Sequence, residues 1–175
     1  MMSDFRTFDQ ARTTELYVER HKWFFHYYEL TDGQFIYGRL SIKKGYKRYA
    51  VVETAEGIIT LKSKGWLKRN LLIKKGEDET IGALMPQTWK RDVILEMDNG
   101  FKATYHHAKI FSRSFSLIHE IYGDLLSITR LWWSFSRPFK VSFKSTIKID
   151  SMPSVPYLAL TGLYLTLLRQ QQAAA

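Results

Sequence analysis

The strongest constraint on the fold of this chain is residues 156–168, its longest uncharged and strongly apolar segment. At about 100° per residue the leucines of this segment point in widely different directions, so they form no single apolar stripe. A helix that is apolar all round must be buried in protein or in lipid. The segment is shorter than the ~20 residues that cross a bilayer. We therefore predict a buried core helix over residues 156–172, with Pro156 in the first turn.

The chain before this helix alternates between short apolar runs and tight-turn residues. Glycine marks the turns, as is typical of β-hairpins, at Gly33, Gly57, Gly76, Gly100 and Gly123. Residues 101–106 and 139–144 alternate apolar and polar side chains, which indicates antiparallel strands with one buried face. About twelve strands are predicted, over residues 21–30, 34–42, 48–54, 58–64, 70–75, 80–85, 92–97, 101–106, 114–119, 125–131, 139–145 and 146–149.

An antiparallel sheet of this size is expected to close, because closure removes its edge strands. Side chains alone fill a barrel of roughly eight strands, so a wider barrel needs another occupant. The predicted fold is therefore mainly β (α+β), a closed antiparallel barrel of about twelve strands around a central apolar C-terminal helix. Residues 1–20 are expected to be a polar tail with a weak helical pattern over 11–19, and residues 21–172 a single domain. A filled barrel leaves no room for a sizeable apolar ligand, so function is expected on the outer surface.

The charge of the chain favours anionic partners. Its 175 residues carry a formal net charge of +9, which suits nucleic acid, an acidic membrane surface or an acidic protein. The alternative is a cationic surface without a specific partner. Cysteine is absent, which excludes disulfides, thiolate metal sites and a cysteine nucleophile. Residues 1–12 lack the apolar core of a signal peptide. We expect a cytoplasmic protein, with peripheral membrane association as the second option.

The order of these elements resembles a known family. The residues that carry the resemblance are 81–82, 93–100, 118–126 and 157–168. Hairpin strands followed by an apolar C-terminal helix, over about residues 23–168, are similar to the tubby C-terminal-like superfamily, which includes phospholipid scramblases and LURP-one-related proteins. The resemblance implies a helix-filled barrel that binds phosphoinositide headgroups through basic strands or associates with membranes. The cysteine-rich and Ca²⁺-binding segments of scramblases are missing, so lipid flipping is not implied.

A basic cluster is the first candidate site. It comprises Lys62, Lys64, Lys68, Arg69, Lys74 and Lys75, and a second group of bases lies just upstream at residues 43–48. Lys62 and Lys64 share one strand face. Ammonium and guanidinium groups satisfy the oxygens of a phosphorylated headgroup, so the cluster is predicted to bind an anionic headgroup. The alternative is a solvated sheet face.

An aromatic segment is the second candidate site. Trp132, Trp133 and Phe135 are flanked by basic residues, among them Arg137. Tryptophan favours the membrane interface, and the same rings can stack on single-stranded bases. The interpretation that we favour from sequence is a third one, in which these hairpin-end aromatics pack as a lid on the barrel.

The sequence contains no recognisable catalytic or metal-binding pattern. His106 and His107 are adjacent, as are His119 and Glu120, and adjacent strand residues point to opposite faces. Phosphate-binding glycine loops, nucleophile elbows and paired catalytic carboxylates are also missing. We expect a non-enzymatic domain without cofactor or metal, whose partner is an anionic lipid headgroup or a membrane surface. A nucleic-acid-binding module and a scaffold are the alternatives, and the oligomeric state stays open.

Overall fold

The computed structural model describes residues 5–11, 13–21, 26–44, 48–64, 70–87, 91–107, 114–144 and 146–174. A short 3-10 turn at Phe8–Gln10 precedes the first strand. The strands are β1 (Glu15–His21), β2 (Tyr27–Thr31), β3 (Ile36–Lys43), β4 (Tyr49–Thr54), β5 (Gly57–Ser63), β6 (Leu71–Lys75), β7 (Glu79–Pro86), β8 (Val93–Met97), β9 (Lys102–His107), β10 (Ser114–His119), β11 (Gly123–Arg130) and β12 (Phe139–Phe143). The chain ends in one helix, α1 (Val155–Ala174).

The twelve strands form a closed antiparallel barrel, which confirms the predicted fold class. Each strand pairs with its neighbours in sequence, and β1 pairs with β12 to close the ring. Inward-facing apolar side chains alternate with outward-facing polar ones along most strands, as in β12, where Phe139, Val141 and Phe143 are buried. This alternation separates an apolar interior from a wet outer wall.

The strand that closes the barrel lies in the predicted N-terminal tail. Glu15–His21 is β1, so the prediction of a polar tail through residue 20 is wrong, as is the weak helical pattern over 11–19. Leu16 and Val18 point inward, opposite Val141 and Phe139 of β12. The predicted strand over 146–149 is not a strand. Twelve strands were expected and the described ranges contain twelve. The last expected strand is replaced by β1, because Leu16 and Val18 pack beside β12.

The helix α1 lies inside the barrel, as predicted, and extends the expected residues 156–172 by one or two at each end. Every residue from 155 to 165 is buried, and Leu163 has no exposed surface. The helix packs most closely on β3, β4, β10 and β11. Because strands surround the helix on all sides, the helix needs apolar residues on every face.

One close contact fixes the height of the helix in the barrel. The Tyr105 hydroxyl on β9 donates a hydrogen bond to the Leu158 carbonyl at 2.7 Å. A Cβ atom on Gly162 would lie 2.9 Å from the Tyr105 ring and 2.9 Å from the Ile128 side chain. The helix surface at Gly162 thus receives side chains of the wall, and a larger residue there would displace them.

The five predicted turn glycines all have positive φ, between 67° and 134°, and the predicted hairpins are confirmed. The turn between β2 and β3 is also held by Asp32. Its Oδ1 accepts hydrogen bonds from the backbone N–H groups of Gln34 and Phe35, both at 2.8 Å, and its Oδ2 accepts one from the Tyr37 hydroxyl at 2.7 Å. Burial raises the pKa of Asp32, but these hydrogen bonds outweigh it and leave the pKa below its usual value.

Replacing Asp32 by alanine is expected to destabilise the barrel by about 1–2 kcal/mol, since three hydrogen bonds to one carboxylate are lost. In a protein of this size the loss corresponds to a melting temperature lower by about 3–6 °C. A lowered pKa in the folded state stabilises the fold above about pH 4, and this contribution is lost as the pH falls through the folded pKa. The difference from wild type should therefore shrink in thermal melts recorded near pH 3.

Asp98→Ala is the matched control for this turn. Asp98 is an exposed aspartate in the corresponding position of the β8–β9 turn, and its side chain has no hydrogen-bond partner in the described part of the chain. We expect Asp98→Ala to melt within about 1 °C of wild type. Equal losses for the two variants at neutral pH would contradict a specific role of the Asp32 carboxylate.

Candidate functional site

The two ends of the barrel differ in charge. We call the end where β11 finishes the tryptophan end, and the opposite end, where the five glycine turns lie, the turn end. Exposed bases at the tryptophan end are Lys43, Lys44, Arg48, Lys64, Arg91 and Arg130. Exposed acids at the turn end are Glu56, Glu77, Asp78, Asp98, Glu120 and Asp150. Because consecutive strands run in opposite directions, residues that are scattered in sequence come together at one end or the other. The turn end also carries the exposed lysines Lys75, Lys102, Lys144 and Lys148, but most of the exposed acids lie there.

Two lysines of the predicted cluster lie on the outer wall near the tryptophan end. Lys62 is on β5, opposite Tyr49 of β4 and Leu72 of β6, and its Nζ lies 5.5 Å from the centre of the Tyr49 ring. Lys64 follows β5 and is exposed. Lys43 stands opposite Tyr49 on the other side, so Tyr49 lies between two lysines. Tyr49 was missed from sequence, because only the strand register places it there.

The remaining members of the predicted cluster do not join these lysines. Lys74 lies on β6 opposite Thr60, and its Nζ is 3.5 Å from the carbonyl oxygen of Glu77 at the turn end. Lys75 is opposite the inward-facing Ile59 and lines a cleft at the turn end. Lys68 and Arg69 lie outside the described residues. The described members of the cluster do not form one binding site. The reason is that β6 runs from the tryptophan end, where β5 finishes, toward the turn end.

Ion pairs neutralise the opposite part of the wall. Glu15 pairs with Lys140 at 3.0 Å and Glu29 pairs with Arg39 at 2.8 Å, while His21 Nε2 lies 3.0 Å from Glu29 Oε2. In contrast, Lys62, Lys64, Lys43 and Lys44 form no ion pair with a carboxylate of the described ranges. Near the tryptophan end, the four lysines around β3 to β5 thus carry positive charge that no ion pair within the described ranges compensates.

Arg137, predicted as a membrane or base contact, is held by the protein. Its guanidinium group forms an ion pair with Glu19 at 2.8 Å and lies 5.7 Å from the centre of the Tyr17 ring. Its backbone N–H donates to the Ser134 hydroxyl at 3.0 Å. Arg137 therefore anchors the β11–β12 connection to β1, and its charge is largely used within the protein.

The aromatic residues of the β11–β12 connection are exposed, so the favoured interpretation as a packed lid is wrong. Trp132, Trp133 and Phe135 expose 65%, 66% and 91% of their surface. The two tryptophan rings contact each other edge to face, with centroids 5.9 Å apart. The connection is closed by a hydrogen bond from the Leu131 N–H to the Pro138 carbonyl at 2.8 Å. A hydrogen-bonded loop thus projects three large apolar side chains into solvent.

The histidines are engaged in local contacts. His106 Nδ1 lies 2.8 Å from Asp92 Oδ1, and His119 Nδ1 accepts backbone hydrogen bonds from Ile121 and Tyr122 at 3.2 and 3.4 Å. Over the residues that the structure describes, no group of three or more potential ligands is placed to hold a metal ion.

The fold and these surfaces define a twelve-stranded antiparallel barrel with an internal helix and one basic, aromatic end. No helix within the described ranges is both long enough and apolar enough to span a membrane. Comparisons with protein-family models, curated proteins and solved structures find no match to this chain. The similarity to the tubby C-terminal-like superfamily therefore stays a prediction from the order of the elements.

Proposed function

We propose that this protein binds anionic membrane surfaces, with the tryptophan end of the barrel facing the lipid. The observation that carries the proposal is the exposure of Trp132, Trp133 and Phe135 at the same end as the uncompensated bases. An exposed apolar group of this size rimmed by charge is typical of an interaction site. Tryptophan favours the interface between headgroups and acyl chains, while lysine near an acidic leaflet contributes about 1 kcal/mol.

The opposed charges of the two ends support this orientation. A basic tryptophan end is attracted to a negative surface, and an acidic turn end is repelled by it, so the field of the protein orients it before contact. The predicted membership of the tubby C-terminal-like superfamily supports the same class of ligand. We propose that the chain is a member of this superfamily as well as a membrane-binding protein.

The first experiment is vesicle flotation with phosphatidylcholine vesicles, with and without phosphatidylserine, at ~0.15 M salt. The protein should float with the acidic vesicles, and binding should weaken as salt screens the charges. Substituting both Lys62→Glu and Lys64→Glu is expected to weaken binding by about 30-fold, equivalent to about 2 kcal/mol for two bases near the leaflet.

The matched control is the double variant Lys74→Glu with Lys75→Glu. It changes the net charge by the same amount but on residues that lie toward the turn end. Its binding should stay within about threefold of wild type if the tryptophan end faces the membrane. Equal losses for both pairs would contradict the orientation. Retention of single-stranded oligonucleotides without flotation on acidic vesicles would favour the nucleic-acid alternative instead.

A further inference from the structure

At the tryptophan end, the helix leaves part of the barrel interior unfilled. A cavity of about 490 Å³ lies between the C-terminal half of α1 and the wall formed by β4 to β8. Its apolar lining consists of Leu71, Pro86, Val93, Leu165 and Leu168. The volume falls within the ~300–1,000 Å³ of typical small-molecule sites. The expectation that a helix-filled barrel has no room for an apolar ligand is therefore wrong at this end.

Cationic and hydroxyl groups surround the apolar part of the cavity. Arg48 and Arg169 line it from the wall and from the helix. Tyr164 also lines it and is 1% exposed. Burial raises the pKa of Tyr164, and the charge of Arg48 opposes the rise.

The arginines are only partly satisfied by the residues that the structure describes. Arg48 donates to the Gln171 side chain and Arg169 to the Arg91 carbonyl, which leaves further N–H donors on each guanidinium group. Burial lowers the pKa of Arg169, and Asp92 counteracts this effect. Among the described residues that line the cavity, Asp92 is the one carboxylate, and its Oδ1 lies 2.8 Å from His106 Nδ1. Two guanidinium groups thus face one engaged carboxylate.

The direction of the helix orders these groups by depth. The chain leaves the barrel at this end, so Tyr164 and Leu165 lie deeper than Leu168 and Arg169, and Arg48 is exposed beside them. An apolar interior with a cationic mouth matches a molecule that has one apolar chain and one anionic head.

We propose that this cavity binds a single-chain anionic amphiphile, a fatty carboxylate, with its tail along Leu71, Val93 and Leu165. The carboxylate accepts hydrogen bonds from the guanidinium groups of Arg48 and Arg169 at the mouth. Charge-assisted bonds of this kind are stronger than neutral ones and suit two-oxygen acceptors. The site opens at the tryptophan end but shares no residue with the β11–β12 connection, and the proposal does not rest on the proposed membrane binding.

The test is isothermal titration calorimetry of the full chain with dodecanoate, below its micelle concentration and without vesicles. Shortening the chain through decanoate to octanoate should weaken binding by about fourfold for each methylene removed. Dodecyl phosphate should bind as well as dodecanoate if any single anionic head suffices, and more weakly if the planar carboxylate is required. Dodecanol and dodecyltrimethylammonium should bind at least about tenfold more weakly than dodecanoate.

Two variants test the two halves of the site. Arg48→Glu reverses an exposed charge at the mouth and should weaken dodecanoate binding by about tenfold or more. Leu168→Trp places a larger side chain in the cavity and should abolish binding. Lys148→Glu, an exposed lysine at the turn end, makes the same change of charge and should leave binding unchanged.

The proposal is overturned if the wild-type protein gives no saturable heat with dodecanoate, or if the cationic amphiphile binds as tightly. It is also overturned if Arg48→Glu binds like Lys148→Glu. Should Leu168→Trp fail to fold, Arg48→Glu and the chain-length series still decide the question. These results are independent of vesicle flotation, because no bilayer is present in the titration.

Discussion

Replacing Leu163 by aspartate is expected to abolish soluble folding of this protein. Leu163 lies in the middle of α1 and has no exposed surface. A carboxylate there would be buried among apolar side chains, and this costs several kcal/mol unless a partner is present. The whole net stability of a domain is about 5–15 kcal/mol. The soluble fraction after lysis and the thermal transition of any soluble protein measure the effect.

Ala173→Asp is the control on the same helix. Ala173 is exposed in the last turn, so a carboxylate there remains hydrated and interacts unfavourably only with the helix C-terminus, by at most about 1 kcal/mol. We expect this variant to be soluble and to melt cooperatively near the wild-type temperature. A soluble Leu163→Asp protein with a cooperative transition close to wild type would show that the helix is not the core of the barrel.

Removing both tryptophans of the β11–β12 connection is expected to weaken binding to acidic vesicles by at least about 100-fold. A tryptophan ring that inserts half of its surface removes about 100 Å² from water, worth about 2.5 kcal/mol per ring. Trp132→Ala with Trp133→Ala should fold normally, because both rings are already exposed. Flotation at several lipid concentrations gives the partition constant, and circular dichroism checks the fold.

The control for this variant removes a similar apolar surface from the other end. Ile121 and Tyr122 lie in the β10–β11 turn and expose 81% and 47% of their surface. Substituting both by alanine should leave vesicle binding within about threefold of wild type. If the tryptophan variant binds as well as this control, the exposed loop does not insert and the proposed orientation fails.

Salt dependence separates the two contributions to membrane binding. The bases act through Coulomb attraction, which salt screens, whereas insertion of apolar rings is not weakened by salt. The tryptophan variant should therefore keep the salt dependence of the wild type at lower affinity. The Lys62 and Lys64 variant should instead lose part of that dependence.

Local pattern was sufficient to predict the class of fold. Three features depend only on neighbouring residues, and each appears in the structure as expected. They are the turn glycines, the alternation along residues 101–106 and the helix that is apolar on all faces. The closing strand was not predicted, although Leu16 and Val18 alternate with polar neighbours. Its pairing with β12 joins residues more than a hundred positions apart, and nothing local distinguishes it from a short amphipathic tail.

The candidate site depended more strongly on tertiary structure. The sequence determined that the protein is basic, that lysines cluster in its middle and that tryptophans occur near residue 132. Only the folded barrel decided which of these groups share an end, because alternating strand directions send Lys64 to the tryptophan end and Lys75 to the turn end. The exposure of the tryptophans and the presence of the cavity beside Arg48 and Arg169 also depend on tertiary structure. Both are set by where the strands of the wall end relative to the helix. That relation belongs to the packed molecule, and no single segment of the sequence encodes it.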